Sequence, residues 1–258
     1  MRAAQQPTAT SRTPVPLTHR LAQLMVLSPE ETQLLEELQA ATRPVRRNRE
    51  IVSEGRPYDS LFILIEGFSN RYRILRDGRR QVLNIVLPGD LIGFPGCFFE
   101  NALYSITALT EARVAPVPFT RLLGLFQTHA RLATAIFWSF SREAAMYAEH
   151  LIDVGRRSAL ERVAHFLLEL LNRLQVVGLA DDNSYRLPLT QEVMGDALGL
   201  SVPHVNRTLR QLRDDGLVAI EEQRVVIHDL EGLSALADFE RSYLGRFRMP
   251  EWLAKPPP

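Results

Sequence analysis

In the C-terminal third of the chain, apolar residues recur every three or four positions in two short neighbouring stretches, which predicts two amphipathic helices. The first helix follows Thr190, a candidate N-cap, and ends at Gly199, because glycine accepts the left-handed backbone of a tight turn. The second helix starts at Ser201 and has Pro203 in its first turn, where the missing N–H costs little. Its apolar face carries Val205, Leu209 and Leu212, and its other faces carry His204, Asn206, Arg207 and Arg210.

Two β-branched runs follow these helices, at Leu217–Ile220 and Arg224–Ile227, with three polar residues between them. This pattern predicts a short β-hairpin. Two helices joined by a tight turn and followed by a hairpin are typical of a winged helix-turn-helix, whose second helix enters the major groove of DNA. Outward arginines also occur on helices that are merely solvated, so the pattern alone leaves both interpretations open.

The middle of the chain, from Val45 to Phe119, contains short apolar runs broken by turn residues. Asp77-Gly78 lies between two such runs and is a strong hairpin signal. Closely spaced strands of this kind predict a compact antiparallel barrel or jelly roll. Two preceding helices, predicted over His19–Val26 and Ser28–Gln39, are expected to pack on it.

A long helix is predicted from His129 to Val154, because this stretch contains neither proline nor glycine. Its apolar residues follow a spacing of mostly three or four, as in a seam between two helices. We expect five of them to form a dimer interface: Leu132, Ile136, Phe140, Tyr147 and Leu151. The alternative is that the helix is buried against its own domain. A further helix is predicted over Ser158–Val177, with Gly155-Arg156-Arg157 as a hinge before it.

The stretch GLSVPHVNRTLRQLRDDGLV is similar to the recognition region of Crp/Fnr-family transcription regulators, and ILIEGF and LPGDLIG resemble the cyclic-nucleotide-binding β-roll of that family. The resemblance extends over nearly the whole chain. It implies an α+β fold, with an N-terminal antiparallel β-roll that is jelly-roll-like and serves as sensor, a long dimerisation helix, and a C-terminal winged helix-turn-helix. The expected divisions are a disordered arm at 1–16, a sensor domain at 17–128, the dimerisation helix at 129–155, a DNA-binding domain at 156–230 and a C-terminal extension at 231–258.

The resemblance implies that six residues contact DNA: Thr190, Ser201, His204, Asn206, Arg207 and Arg210. Arg207 matches the family's arginine and can donate two hydrogen bonds to guanine O6 and N7. Asn206 is expected to bind adenine or a phosphate, and His204 a base or, more simply, a phosphate. Thr190 and Arg210 are expected to support phosphates. Pro203 stands where well-studied relatives have a glutamate, so the base preference set by that position does not carry over.

Residues Gly93 to Thr107 align with the phosphate-binding cassette of the family. Members that bind cyclic AMP have a glutamate after the first glycine and an arginine before a serine or threonine, whereas this chain has Phe94 and Tyr104 there. Burying a cyclic phosphodiester without a cation would cost several kcal/mol, so we expect no dependence on cyclic AMP. The candidate effector-pocket residues are Phe94, Cys97, Tyr104 and Ser105.

Other side chains near the cassette have simpler explanations. Four arginines could lend charge to a ligand, but their spacing suits exposed strand ends equally well: Arg71, Arg73, Arg79 and Arg80. Phe94, Phe98 and Phe99 could line an apolar effector pocket, although we expect them to fill the roll. The effector, if there is one, is unknown.

Composition narrows the function further. The chain has 258 residues, 46% of them hydrophobic, which is enough for two domains, and its formal net charge is zero. DNA binding therefore requires a local patch rather than bulk attraction. The single cysteine, Cys97, excludes an intrachain disulfide and a four-cysteine iron–sulfur cluster, and its apolar neighbours favour an inert thiol. The six histidines show no pairing that suggests haem. No apolar run has transmembrane length and no signal peptide is evident, so a cytoplasmic location is expected.

We therefore predict a homodimeric transcription regulator that binds an inverted-repeat operator. Its expected partners are double-stranded DNA and RNA polymerase, with no cofactor and no membrane. The alternative is a small-molecule-binding signalling protein whose helical domain contacts another protein. No nucleophile–base pair, metal-ligand set or phosphate loop favours an enzyme.

Overall fold

The computed structural model describes residues 16–93, 96–244 and 255. The predicted arm, except for Pro16, and the part of the C-terminal extension at 245–254 and 256–258 therefore lie outside the described residues. Two helices open the described chain, α1 (Pro16–Ala22) and α2 (Pro29–Ala40). The predicted start of α2 is confirmed, because the Ser28 side chain accepts a hydrogen bond from Glu31 N at 3.1 Å and the Glu31 side chain accepts one from Ser28 N at 2.8 Å.

Two antiparallel four-stranded sheets form the predicted β-roll, in the orders β1-β8-β3-β6 and β2-β7-β4-β5. Their side chains meet in a core that includes Leu64, Ile92, Ile106 and Val114. The strands are β1 (Arg43–Val45), β2 (Glu50–Val52), β3 (Ser60–Glu66), β4 (Ser69–Ile74), β5 (Arg80–Val86), β6 (Leu91–Ile92), β7 (Ser105–Ala108) and β8 (Ala112–Pro118).

The hairpin predicted at Asp77-Gly78 joins β4 to β5. Gly78 has a φ of 86°, a conformation that residues with a Cβ rarely adopt. The Asp77 side chain accepts hydrogen bonds from the backbone N and the Nε of Arg79, at 3.0 and 2.8 Å. Local chemistry thus explains this turn without reference to the rest of the fold.

Two helices follow the roll, α3 (Phe119–Thr128) and α4 (Ala130–Gly155). The first part of α4 packs against α1, α2 and the sheet that contains β3 and β8. Its contribution to this core comes from Leu132, Ala135 and Ile136. The early turns of α4 therefore belong to the β-roll domain, and only its remaining surface is free to meet a partner.

The C-terminal half is a winged helix-turn-helix, as predicted, around a core centred on α5. A three-stranded sheet in the order β10-β11-β9 supplies the wing. The elements are α5 (Ala159–Val176), β9 (Ser184–Arg186), α6 (Gln191–Leu198), α7 (Val202–Asp214), β10 (Val218–Glu221), β11 (Arg224–Ile227), α8 (Leu230–Ala237) and a 3-10 turn at Arg241–Leu244. Among the described residues, no helix combines the length and the apolar character needed to cross a bilayer.

The two halves meet at a buried ionic cluster built on Arg173 of α5, which is 2% exposed. Its Nη2 atom donates to the carbonyl oxygen of Ile85 at 2.6 Å and to the Asp90 carboxylate at 3.0 Å. Its Nη1 atom donates to Asn84 at 3.0 Å and to Glu169 at 3.2 Å. One side chain of the C-terminal half therefore binds the β5 strand and the turn that follows it.

Both carboxylates of this cluster are held in the charged form. Burial alone would raise the pKa of Asp90, but Arg20 and Arg173 outweigh it and lower that pKa to about 2. Burial would also raise the pKa of Glu169, and His150 and Arg173 lower it to about 2. His150 responds in the opposite direction, because the Glu169 charge outweighs burial and raises the imidazole pKa. Opposite charges beside Asp90, Glu169 and His150 therefore stabilise the charged form of each of these groups.

A second link joins the β4–β5 hairpin to α6. Arg80 Nε donates to the Asp196 carboxylate at 2.6 Å, and Gln81 Nε2 donates to the carbonyl oxygen of Ala197 at 3.3 Å. Arg80 is therefore not a free strand end, and it connects the sensor to the first helix of the helix-turn-helix.

Candidate nucleic-acid interface

The turn between α6 and α7 is held by local contacts that the sequence pattern anticipates. Thr190 caps α6 by accepting a hydrogen bond from Val193 N at 3.2 Å. Gly199 ends the helix with a φ of 66°. Gly195 was not anticipated: a Cβ there would lie 2.5 Å from the carbonyl oxygen of Leu200, so the turn folds back on α6 more closely than any larger residue permits.

One face of α7 is buried and fixes how the helix lies on the domain. Val205 and Leu212 are completely buried and Thr208 is nearly so, with α5 as the main neighbour. Leu209 is only partly buried. Because the apolar residues recur on one side, the polar residues between them face outward.

The exposed face of α7 presents three donor-rich side chains: Asn206, Arg207 and Arg210. Within residues 16–93, 96–244 and 255, none of the three makes a side-chain hydrogen bond or ion pair to the rest of the protein. Two guanidinium groups and an amide are therefore available for an outside partner, and these groups match base edges and phosphates.

The other three residues that are predicted to contact DNA differ in their exposure and in their internal hydrogen bonds. Ser201 is exposed at the N-cap of α7, and its side chain makes no capping bond, so its hydroxyl is free to donate. His204 is partly buried. Thr190 is exposed and accepts the cap bond, but its O–H can still donate to a phosphate. The six predicted residues thus lie at the start of α6 and along α7, all of them exposed except the partly buried His204, and their contact with DNA stays a prediction.

The wing has an acidic tip. Glu222 and Gln223 both have positive φ values, 46° and 63°, as in the turns that join two-residue hairpins. Leu187 N donates to the carbonyl oxygen of Gln223 at 2.6 Å, which holds the tip against the approach to α6. With Glu221 beside it, the tip repels phosphate, so α7 is the stronger candidate for contact with DNA.

Arg71 is buried between β4 and α4, so the structure excludes an exposed strand end, one of its two possible positions. The side chain is 1% exposed and bonds to Glu143 and Tyr147 of α4. Its guanidinium carbon lies 5.3 Å from the centre of the Tyr104 ring. Burial disfavours its charge, but Glu143 and Tyr147 outweigh that effect and raise the pKa of Arg71. A charged pair therefore fills the space between β4 and α4.

The effector candidates fall into two groups. Tyr104 packs under Arg71, and the buried Ser105 accepts a hydrogen bond from Glu54 N at 3.1 Å, so both have internal roles. Phe94 and the side chain of Cys97 lie outside the described residues. The expectation that Phe98 and Phe99 fill the roll is wrong, because both side chains are exposed.

The predicted dimer seam on α4 needs correction at two positions. Leu132 and Ile136 are 0% and 1% exposed in the core of their own domain, so they are not available to a partner. The exposed apolar stripe instead contains Phe137, 66% exposed, and Leu151, 70% exposed. Phe140 and Tyr147 are partly buried beside this stripe. The sequence carried a signal for Phe137, since positions 137, 144 and 151 repeat every seven residues.

A β-roll linked through a long helix to an outward-facing recognition helix defines a two-domain DNA-binding regulator. Two family models match the corresponding parts of the chain, a cyclic nucleotide-binding domain over residues 42–129 and a Crp-like helix-turn-helix domain over residues 161–236. The chain belongs to the Crp/Fnr family of transcription regulators, and the predicted fold class and DNA-binding function are confirmed.

Individual relatives agree with this assignment. The nitrogen fixation regulation protein FixK of Bradyrhizobium diazoefficiens is 34% identical over 179 residues, 69% of this chain and 74% of that protein. The transcriptional activatory protein AadR of Rhodopseudomonas palustris is 32% identical over 189 residues, 72% of this chain and 77% of that protein. The structure of FixK2 from Bradyrhizobium japonicum has a TM-score of 0.69 and 28% identity, and the match covers 76% of this chain and 96% of that one.

Proposed function

We propose that this regulator acts in the cytoplasm as a homodimer on an inverted-repeat operator, with α7 of each protomer in the major groove. The observation that carries the proposal is the exposed face of α7, where Asn206, Arg207 and Arg210 make no side-chain bond to the described chain. A dimer places two such faces about one helical turn apart on the duplex. RNA polymerase is the expected protein partner.

The exposed stripe of α4 supports the dimer. Phe137 and Leu151 lie on one side of the helix, with the small exposed residues Ala144 and Ala148 between them. Small residues let two helices approach closely, and the large apolar residues at either end supply buried area. A two-fold axis through this stripe would pair the same residues of both protomers.

We also propose that operator binding does not depend on cyclic AMP. Arg71, which stacks on Tyr104, is already neutralised by Glu143. A cyclic phosphate at the cassette would have to take this cation from its partner and leave Glu143 uncompensated. That exchange is unfavourable, because removing one member of a buried ion pair leaves the other desolvated and unpaired.

Selection from a random duplex pool tests the operator proposal. The purified full chain, without added ligand and at near-physiological salt, should enrich a two-fold symmetric motif. Adding cyclic AMP should leave the motif and the enrichment unchanged. Weak binding without a sequence preference, or enrichment only with cyclic AMP, would contradict the proposal.

The substitution Leu151→Asp should dissociate the dimer. Because the interface is symmetric, the change would bury two unpaired carboxylates close to each other, and the dimer dissociation constant should rise by at least about tenfold. Light scattering across a concentration series measures this change. Leu123→Asp is a matched control, since Leu123 is an exposed leucine of α3 outside the stripe. Equal dimer affinities in the two variants would locate the interface elsewhere.

A further inference from the structure

Arg142, on the inward side of α4, is a buried cation without an anionic partner among the described residues. The residue is 6% exposed, and its Nε and Nη2 atoms are buried without a hydrogen-bond partner. Its guanidinium carbon lies 5.9 Å from the centre of the Trp138 ring. A contact with a ring face attracts the charge but does not satisfy the N–H donors.

The surroundings of Arg142 destabilise the positive charge of its guanidinium group. Burial, together with repulsion from Arg20 and Arg173, lowers the pKa of Arg142 to about 9, so the side chain is still charged at neutral pH. Arg20 and Arg173 are both ion-paired with Asp90, and Arg173 is also paired with Glu169. The nearby carboxylates are therefore engaged, and the attraction of Asp90 and Glu169 offsets only part of the cost of burying the Arg142 charge.

The two unpaired donors have a geometry that selects a class of ligand. In a guanidinium group, Nε–H and one Nη–H point in parallel along the same edge. That edge binds two oxygens of a phosphate, sulfate or carboxylate at once. A single water or carbonyl oxygen can accept from both donors, but neither supplies a negative charge.

The space in front of Arg142 is narrow. One cavity beside Arg142, lined also by Arg20 and Arg173 and by the acidic residues Asp90 and Glu143, has a volume of about 20 Å³, enough for about one water molecule. A second cavity, of about 150 Å³, shares Arg20 and Arg142 with the first and has the room that a phosphate or sulfate needs. No described residue of the cassette, at 93 or 96–107, lines either cavity. A ligand at Arg142 would therefore be distinct from one held by the cassette.

We propose that Arg142, with Arg20 and Arg173 beside it, binds a small free oxyanion of phosphate or sulfate size. The anion accepts hydrogen bonds from the free edge of Arg142 and supplies the negative charge that the cluster lacks. Because Arg20 belongs to α1, Arg142 to α4 and Arg173 to α5, the ligand lies where the sensor domain meets the DNA-reading domain. The proposal does not depend on the operator or on the dimer.

Thermal unfolding of the full chain in inorganic phosphate tests this site, with sodium chloride at matched ionic strength as reference. The unfolding temperature of the wild type should rise saturably with phosphate. Arg142→Met should abolish the rise, and without phosphate it should unfold at a higher temperature than the wild type, because it removes a buried charge that the nearby carboxylates offset only in part. Arg76→Met, at an exposed arginine of the β4–β5 turn, should keep the full response. Equal phosphate responses in the wild type and Arg142→Met would overturn the proposal.

Calorimetry provides a second readout that does not depend on how well Arg142→Met folds. Arg142→Lys keeps the charge but lacks the two-donor edge, so its phosphate affinity should fall by about tenfold or more. An unchanged affinity would overturn the proposed geometry. Glucose 6-phosphate distinguishes a free anion from the phosphate of a larger metabolite. It should bind more weakly than inorganic phosphate, and tighter binding would overturn the assignment to a free anion.

Discussion

Replacing Arg207 with alanine is expected to weaken specific operator binding by about 1–3 kcal/mol per half-site and to relax discrimination at one base pair of each half-site. The guanidinium group is exposed on α7 and has no partner within the described chain, so the substitution removes contacts with DNA and no internal contact. Binding isotherms on the selected operator, and on duplexes with single base changes, measure both effects.

Arg213→Ala is the matched control for Arg207→Ala. Arg213 is an exposed arginine in the last turn of α7, away from the N-terminal part that contacts bases in helix-turn-helix proteins. Arg213→Ala removes the same charge from the same helix as Arg207→Ala does, and it should leave base discrimination unchanged. If both variants lost affinity equally on every sequence, Arg207 would contact only phosphate.

Replacing Arg173 with methionine is expected to lower the free energy of unfolding by about 3–5 kcal/mol, which is the usual cost of removing one partner from a buried ion pair. The methionine keeps much of the apolar volume but leaves Asp90 and Glu169 without the cation that both contact. Urea denaturation of the full chain measures the change. Arg156→Met, at an exposed arginine between α4 and α5, is the control and should have little effect.

The pH dependence of the Arg173→Met effect distinguishes lost charge pairing from lost packing. Asp90 and Glu169 have lowered pKa values in the folded protein, so their stabilisation is fully present above the ordinary carboxyl pKa of about 4. It is lost as the pH falls towards about 2. The difference between wild type and variant should therefore shrink over this interval. A difference that stayed constant with pH would indicate lost packing instead.

The signals that sequence reasoning used successfully are short-range ones. Ser28, Thr190, Gly199 and Asp77-Gly78 act within a few residues, and each adopts the predicted conformation. Their geometry follows from backbone sterics and from hydrogen bonds to adjacent amides, which are the same in any fold. For this reason the order of elements and the helix-turn-helix could be predicted from one chain.

Burial of charged groups was not predictable in the same way. Arg71 and Arg173 look like ordinary solvated arginines in the sequence, but both are buried between elements that are far apart along the chain. The partner of Arg71 is Glu143, and Arg173 contacts Asp90. Burying a cation is favourable only where an anion lies beside it, and the tertiary structure decides which distant residues lie side by side.

The amino-acid sequence by itself determined the class of this protein: a β-roll, a long helix and an outward-facing recognition helix with Arg207 on it. Only the tertiary structure decided which side of α4 is free, because Leu132 and Phe137 are equally apolar and differ only in what the roll covers. The same holds for Arg142, whose missing partner becomes evident once Arg20 and Arg173 are seen to share Asp90. Local backbone conformation depends on the residues of a short stretch, whereas burial and charge balance depend on contacts between distant segments.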